Sequence, residues 1–288
     1  MKRRELPPRL EAGAVWLVFH LFRLLPLDLA SSIGGWIGRA IGYRLAVTRR
    51  ARRNLARVMP DLPPAEREAI IRGMWDNLGR TAAEYPHLAE FRFGPGERVE
   101  VQGLEHVLAV RDDGKPGLFF SGHLGNWELM GFCGVQYGLP LHLVYRATNN
   151  PHLGWVYSRG RVGELIPKGP LGARRALELL RSGEHLGMLI DQKMNDGIAV
   201  PFFGIDAMTA PALASFALKF GCPVVPAHVE RLGGARFRLI IEPPLAFADS
   251  DDRHAAIAAA TAQVNRILEG WVRAHPDQWL WLHRRWPE

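Results

Sequence analysis

Cysteine is nearly absent from this chain: Cys133 and Cys222 are the only two among 288 residues, and neither belongs to a C-x-x-C spacing. That excludes a disulfide scaffold or a cysteine zinc site and predicts a reducing compartment. No G-x-S-x-G occurs, so the nucleophile elbow of a serine hydrolase is missing. No Gly/Ser-rich or Pro-rich run divides the chain, which predicts one large domain. Nor does any apolar run reach the about 20 residues of a spanning helix. Ala12 to Phe22 is uncharged and apolar, Arg23, Pro26 and Asp28 interrupt it, and Leu29 to Gly38 is uncharged again.

No small-residue cleavage site follows these short apolar stretches, which argues against a removed signal peptide. Trp16 and Trp36, with Arg23, Arg39 and Arg44, predict helices lying in a membrane interface, apolar face down and cations at the headgroups. Ordinary core helices, or one tilted span containing Arg23, are the competing readings. The domain division expected is a membrane-associated helical segment over 1–47 and a catalytic domain over 48–288.

Acidic residues are outnumbered. The formal charge is +7 and the pI is near 9.8, which favours an anionic partner: a phosphorylated lipid, an anionic bilayer, an acidic carrier protein or nucleic acid. Charge alone does not choose among these. Five arginines occupy nine positions from Arg49 to Arg57. As a helix face beside an interfacial segment they would attract anionic lipid at about 1 kcal/mol per cation. A solvated helix face is the plainer reading of such a run. A further helix is expected over 64–83, opened by Pro64 and carrying Ile70, Ile71, Met74, Trp75 and Leu78 at helical spacing.

From about 98 to 245 the chain alternates strand-like segments (117–121, 141–145, 186–190, 223–229 and 236–242) with helix-like ones (near 126–138, 171–182 and 209–220). Such alternation predicts an α/β fold, a central mixed sheet flanked by helices. Ligands of such sheets gather at the carboxyl ends of strands, where His123, Arg146 and Asp191 would share one rim.

The feature richest in chemistry is Gly122-His123-Leu124-Gly125-Asn126-Trp127-Glu128. It follows the apolar run Gly117 to Ser121, so the glycines read as a turn leaving a buried strand. Residues five apart do not share a helix face. His123 and Glu128 can meet only if the histidine lies in the turn and the glutamate at the start of the next helix. A histidine held by a carboxylate is an acid-base device.

This pattern is similar to the His-x4-Asp/Glu motif of the lysophospholipid acyltransferase superfamily, and GHLGNWE resembles its branch of late lipid A biosynthesis acyltransferases, the lauroyl and myristoyl type. Further blocks match in order: Val144-Tyr145-Arg146 with Asn149, Asn150 and Pro151; Ile166-Pro167-Lys168 with Leu189-Ile190-Asp191-Gln192; Phe202-Phe203-Gly204 with Thr209; Gly221 to Pro226; and Gln278 to Arg285. The match runs from about residue 14 to 286.

The resemblance implies transfer of a fatty acyl group from an acyl carrier protein thioester to a hydroxyl of lipid A or its Kdo-bearing precursor, in lipopolysaccharide biosynthesis at the cytoplasmic face of the inner membrane. His123 would be the base, Glu128 would stabilise its imidazolium, and Asn126 or backbone donors would meet the oxyanion. Arg146, Arg159, Arg161 and Lys168 would bind the anionic substrate, and Asp191 and Gln192 would hold His123 or a sugar hydroxyl. Each of these has a dull alternative as a surface ion, a cap or an ion pair. Trp127, Phe202 and Phe203 would wall an acyl tunnel, unless they are core packing, and His283-Arg284-Arg285 reads as structural or membrane-facing.

No cofactor is implied, and no metal is expected, since His-x4-Glu has no third ligand at a usual spacing. A thiol mechanism using Cys133 is a rival. A membrane or nucleic-acid binding protein without activity would explain the charge but not the ordered blocks, so no nucleic-acid partner is expected. The nearest alternatives within the superfamily act on another glycolipid, such as a phosphatidylinositol mannoside, or on a lysophospholipid.

Overall fold

The computed structural model describes residues 7–148, 150–158, 163–248 and 250–287. In chain order the helices are α1 (Pro8–Arg23), α2 (Leu27–Ala40), α3 (Thr48–Val58), α4 (Pro64–Glu84), α5 (Leu104–Asp112), α6 (Leu129–Gln136), α7 (Gly154–Ser158), α8 (Pro170–Arg181), α9 (Ala212–Phe220) and α10 (Arg253–Ala274). The strands are β1 (Val99–Gln102), β2 (Leu118–Ser121), β3 (His142–Tyr145), β4 (Leu165–Pro167), β5 (Leu186–Leu189), β6 (Ile198–Phe202), β7 (Ile205–Thr209), β8 (Val224–Gly233) and β9 (Arg236–Ile241).

Among the described residues, seven strands form one mixed sheet in the order β1-β9-β8-β2-β5-β3-β4. Within this sheet only β8 and β9 pair antiparallel. β2 lies inside, between β8 and β5, and all four of its residues are buried. This explains its unbroken apolar run. Its side chains alternate between two cores: Leu118 and Phe120 face α3, α8, α9 and α10, whereas Phe119 joins α5, α6 and β9. The chain is therefore one α/β domain with a mixed sheet flanked by helices.

Each strand and helix expected from the alternation forms within a few residues. β1, α5 and β4 were not anticipated, nor was the β6–β7 hairpin, which turns through Phe203 and Gly204 at φ 56° and 71°. Two successive positive φ values are the mark of a type I′ turn, and this hairpin delays α9 to Ala212. α10 was also missed, because its many alanines blur the apolar stripe. Its start is fixed by Asp252, whose carboxylate accepts from His254 N and Ala255 N.

At the N-terminus, α1 is 16 residues long and α2 is 14. No helix among the described residues is long and apolar enough to cross a membrane, so the tilted single span finds no support. α2 packs on α4 backbone to backbone. A Cβ on Gly34 would collide with the Gly79 carbonyl, and one on Gly38 with the Trp75 carbonyl. The outer surface of α1, α2 and the residues that follow each is apolar and uncovered: Trp16 is 51% exposed, Trp36 60% and Leu24 81%, with Leu17, Leu21, Leu29, Ile41 and Leu45 beside them.

The arginine run forms α3 and divides its work. Arg52 pairs with Glu68 at 2.7 Å and Arg50 donates to the Leu282 carbonyl at 3.1 Å, while Arg49 and Arg53 are exposed. Asn54 donates to the carbonyls of Trp281 and His283 at 2.9 and 2.8 Å. The basic helix thus clamps the C-terminal segment to the body.

Candidate active site

β2 ends at Ser121 and the chain turns at once. Gly122 leaves no room for a side chain, since a Cβ would come within 2.6 Å of Leu268. Gly125 has φ 56°, where a Cβ would strike the Val229 carbonyl. His123 projects from this turn. Its backbone N–H donates to Asp191 Oδ2 and its ring Nδ1 lies 2.7 Å from Asp191 Oδ1. Asp191 follows β5, the parallel neighbour of β2.

Asp191 is fully buried. Burial alone would raise its carboxyl pKa, but the charge of His123, two hydrogen bonds from that residue and the nearby His283 outweigh it and hold the acid well below the usual range. Trp279 Nε1 donates a further bond to Oδ2 at 2.9 Å. An ionised Asp191 can only accept, so Nδ1 of His123 carries a proton and Nε2 is the ring nitrogen left for other partners. Nε2 lies 3.5 Å from the side-chain amide of Gln192.

A cleft of about 430 Å³ opens at these strand ends. His123, Glu128, Arg146, Lys168 and Gln192 line it, with Tyr85, Trp127 and the apolar Met130, Leu143, Val144, Met188 and Leu189. Glu128 stands immediately before α6, where the Tyr85 hydroxyl and Trp127 Nε1 donate to its Oε1. Lys168 Nζ is 3.3 Å from Gln192 Oε1. Burial and the neighbouring Arg146 lower the Lys168 pKa, while Asp191 works the other way. The cleft therefore joins an imidazole, a carboxylate, two cations and an apolar wall.

Over residues 4–288 the sequence matches the family model described as bacterial lipid A biosynthesis acyltransferase. The chain belongs to this family. It is similar to the lipid A biosynthesis palmitoleoyltransferase of Escherichia coli K12, 26% identical over 95% of this chain and 88% of that protein. The lauroyltransferase of the same organism is 25% identical over 95% and 89%. A phosphatidylinositol mannoside acyltransferase of Mycolicibacterium smegmatis is 24% identical over 93% and 88%.

Of the site residues expected for this acyltransferase, His123, Glu128, Arg146, Lys168 and Gln192 meet in the cleft, and Asp191 lies beneath it. Arg159 and Arg161 lie outside the described residues, as does Asn149. Asn126 is fully buried; its amide nitrogen donates to Glu84 Oε2 at 2.8 Å, and it is not among the cleft residues. Trp127 lines the cleft. Phe202 and Phe203 do not; they pack with Trp279, Trp281 and Trp286 in an aromatic cluster.

The C-terminal block is the largest surprise. His283, read from sequence as structural or membrane-facing, stands 4.7 Å from the His123 ring, centroid to centroid, and 4.0 Å from Asp191 Oδ2. Burial and the His123 charge push its pKa down to about 3, so it is neutral. The segment Gln278–Leu280 runs beside the turn that carries His123, Leu280 N donating to the His123 carbonyl at 3.1 Å and Leu124 bridging to Trp279. Arg285 is buried against Met208, Thr209 and Asn265.

His123, Asp191 and His283 bring three possible metal-ligand atoms within 4.8 Å of one another. Sequence spacing showed no third ligand because His283 arrives from the far end of the chain. Asp191 is already engaged by His123 and Trp279, and the Nδ1 of His123 by Asp191; His283 Nε2 has no partner among the described residues. Cys133 is buried, its thiol pKa pushed up to about 12 by desolvation. A nucleophile needs the opposite shift.

Proposed function

We propose that this chain transfers a fatty acyl group from an acyl carrier protein thioester to a hydroxyl of a phosphorylated lipid A precursor. The observation that carries the reading is the His123–Asp191 pair, with Nδ1 committed to the carboxylate and Nε2 beside cleft-lining Gln192. A base so oriented takes the acceptor's hydroxyl proton through Nε2 as the oxygen attacks the thioester carbon. The C–S bond then breaks and the imidazolium returns the proton to the leaving thiolate. Asp191 stabilises the imidazolium from below, and Glu128, held by Tyr85 and Trp127, adds a second negative charge and orients the acceptor hydroxyl.

Gln192 and Lys168 line the same cleft, and their N–H donors would meet the oxyanion as its charge develops. Arg146 and Lys168 suit the phosphates of a glycolipid or the phosphate of a carrier's prosthetic arm. Met130, Leu143, Val144 and Met188 suit the acyl chain. α1 packs on the segment that follows the cleft-lining Thr148: Asn150 Nδ2 donates to the Pro8 carbonyl and Phe19 packs edge-on against Trp155 at 5.1 Å. We therefore read residues 1–47, with the exposed arginines of α3, as resting on the anionic cytoplasmic face of the inner membrane. Lipid can then pass laterally from the bilayer to the cleft.

The test is mass spectrometry of products from purified full-length protein given a carrier-linked acyl thioester and a lipid A precursor. A gain of one acyl chain on the precursor is expected. Acylation of a phosphatidylinositol mannoside or a lysophospholipid, with none on the precursor, would move the assignment to those acceptors.

A further inference from the structure

The turn carrying His123 is gripped from one side by α4. Asn77 Nδ2 and Thr81 Oγ1 donate to the Gly125 carbonyl at 2.9 and 3.2 Å, Glu84 Oε2 accepts from Asn126 Nδ2 at 2.8 Å, and Tyr85 donates to Glu128. Asn77, Thr81 and Glu84 are four and three positions apart, so they form one stripe on the helix. Asn126 turns its amide nitrogen to Glu84 although this leaves its Oδ1 without a partner among the described residues. The carboxylate therefore dictates the orientation of that side chain.

Glu84 is fully buried, and its charge is balanced by Arg231 of β8 at 2.5 and 3.1 Å. Arg231 also reaches Asn77 Oδ1 at 2.8 Å and Thr81 Oγ1 at 3.1 Å. A buried ion pair is a poor source of stability compared with packed apolar groups, but it fixes geometry when every partner is satisfied. Here what it fixes is the catalytic turn.

The remaining partner of Glu84 comes from α2: Ser31 Oγ donates to Oε1 at 2.7 Å. α2 is also the helix that meets α4 through glycine backbones and exposes Leu29 and Trp36 on its outer side. One helix thus carries both an uncovered apolar face and a hydrogen bond to the carboxylate that holds the turn.

We infer that Glu84 is a positioning residue for acyl transfer, and that through Ser31 it makes the order of the His123 turn depend on α2 being seated on a lipid surface. This rests on the reading of α1 and α2 as a membrane face. A bilayer that fixes α2 fixes Ser31, which holds Glu84 against Asn126.

Hydrogen exchange of residues 122–128 in the full-length protein, with and without vesicles of phosphatidylcholine and phosphatidylglycerol, tests the link directly. In the wild type, vesicles should slow exchange of the turn by roughly fivefold to tenfold, about what one hydrogen bond is worth. Ser31→Ala should bind the same vesicles yet lose that slowing, and its kcat should fall several-fold with KM unchanged. Glu84→Gln leaves Arg231 unpaired in the core and can unfold the chain, so Glu84→Gln with Arg231→Gln, which removes both charges, is measured beside it. That double variant should remain folded with an unprotected turn.

Wild-type vesicle dependence in Ser31→Ala overturns the inference. So does a Ser31→Ala loss of protection spread over the whole protein, which would mark a merely structural bond. Vesicle-dependent protection in a wild type that transfers no acyl group to the lipid A precursor supports the coupling and removes the proposed acceptor instead.

Discussion

Asp191 Oδ1 sits 2.7 Å from His123 Nδ1, joining two residues 68 positions apart, while Glu128, five positions from the histidine, is held by Tyr85 and Trp127 at the cleft wall. The local motif offers the histidine one carboxylate, but the one bonded to Nδ1 comes from elsewhere in the chain. Asp191→Asn replaces an acceptor by an amide that can donate to Nδ1 and so favours the wrong tautomer. Steady-state kinetics should show kcat lower by about 10²-fold or more, with little change in KM. A near wild-type kcat would remove Asp191 from the acid-base pair.

His123→Ala removes the proposed base. Acyl transfer should fall by about 10²- to 10⁴-fold while circular dichroism and vesicle binding stay unchanged. Retention of more than about a tenth of the rate, well short of what a positioned base contributes, would exclude the role.

Glu128→Gln keeps the shape of the side chain and removes its charge, and its rate should drop strongly; Glu128→Asp should keep partial activity. Because Glu128 is not the group bonded to Nδ1, the loss should be smaller than for Asp191→Asn. Equal activity of Glu128→Gln and wild type would reduce the carboxylate to a helix-start residue.

Met130 lines the cleft and also a smaller, apolar cavity of about 20 Å³ beneath it, shared with Phe119, Cys133 and Leu141. Met130→Ala should join the two and shift the preferred donor to longer acyl chains. One methylene in an apolar pocket is worth about 1–3 kcal/mol, or 10- to 200-fold in selectivity. An unchanged chain-length profile would place the acyl chain elsewhere.

Stability should fall in acid. His283 titrates near 3 in the folded protein against 6.5 ordinarily, and burial likewise pushes His228 down to about 4. As pH drops from about 6.5 toward 3 the unfolded chain binds protons that the folded one refuses. Each such group lowers stability by up to about 1.4 kcal/mol per pH unit. Asp191, depressed below 3.8, adds its loss only at still lower pH. Denaturant melts of His283→Gln should show a shallower slope between pH 6 and 4, a window taken from the two shifted histidines; an unaltered slope would mean His283 is protonated when folded.

Local order was legible in the sequence. The apolar run of β2, the glycines of the turn and the starts of α4, α6 and α8 follow from backbone freedom and side-chain periodicity, which act over a few residues. They place His123, Arg146 and Asp191 at strand ends. The arginine run was legible as a helix, yet not as a clamp, because charge pattern does not reveal that Arg50 and Asn54 reach the carbonyls of the C-terminal segment.

Tertiary structure decided the partners. Which carboxylate meets His123 depends on β5 lying beside β2, and the arrival of Trp279 and His283 depends on the C-terminal segment returning along the turn. The stripe Asn77–Thr81–Glu84 becomes a grip only when α4 crosses that turn and Arg231 comes up from β8. Hydrogen bonds and buried charges are satisfied by whatever the fold brings within about 3 Å, and sequence spacing carries no trace of neighbours that far along the chain.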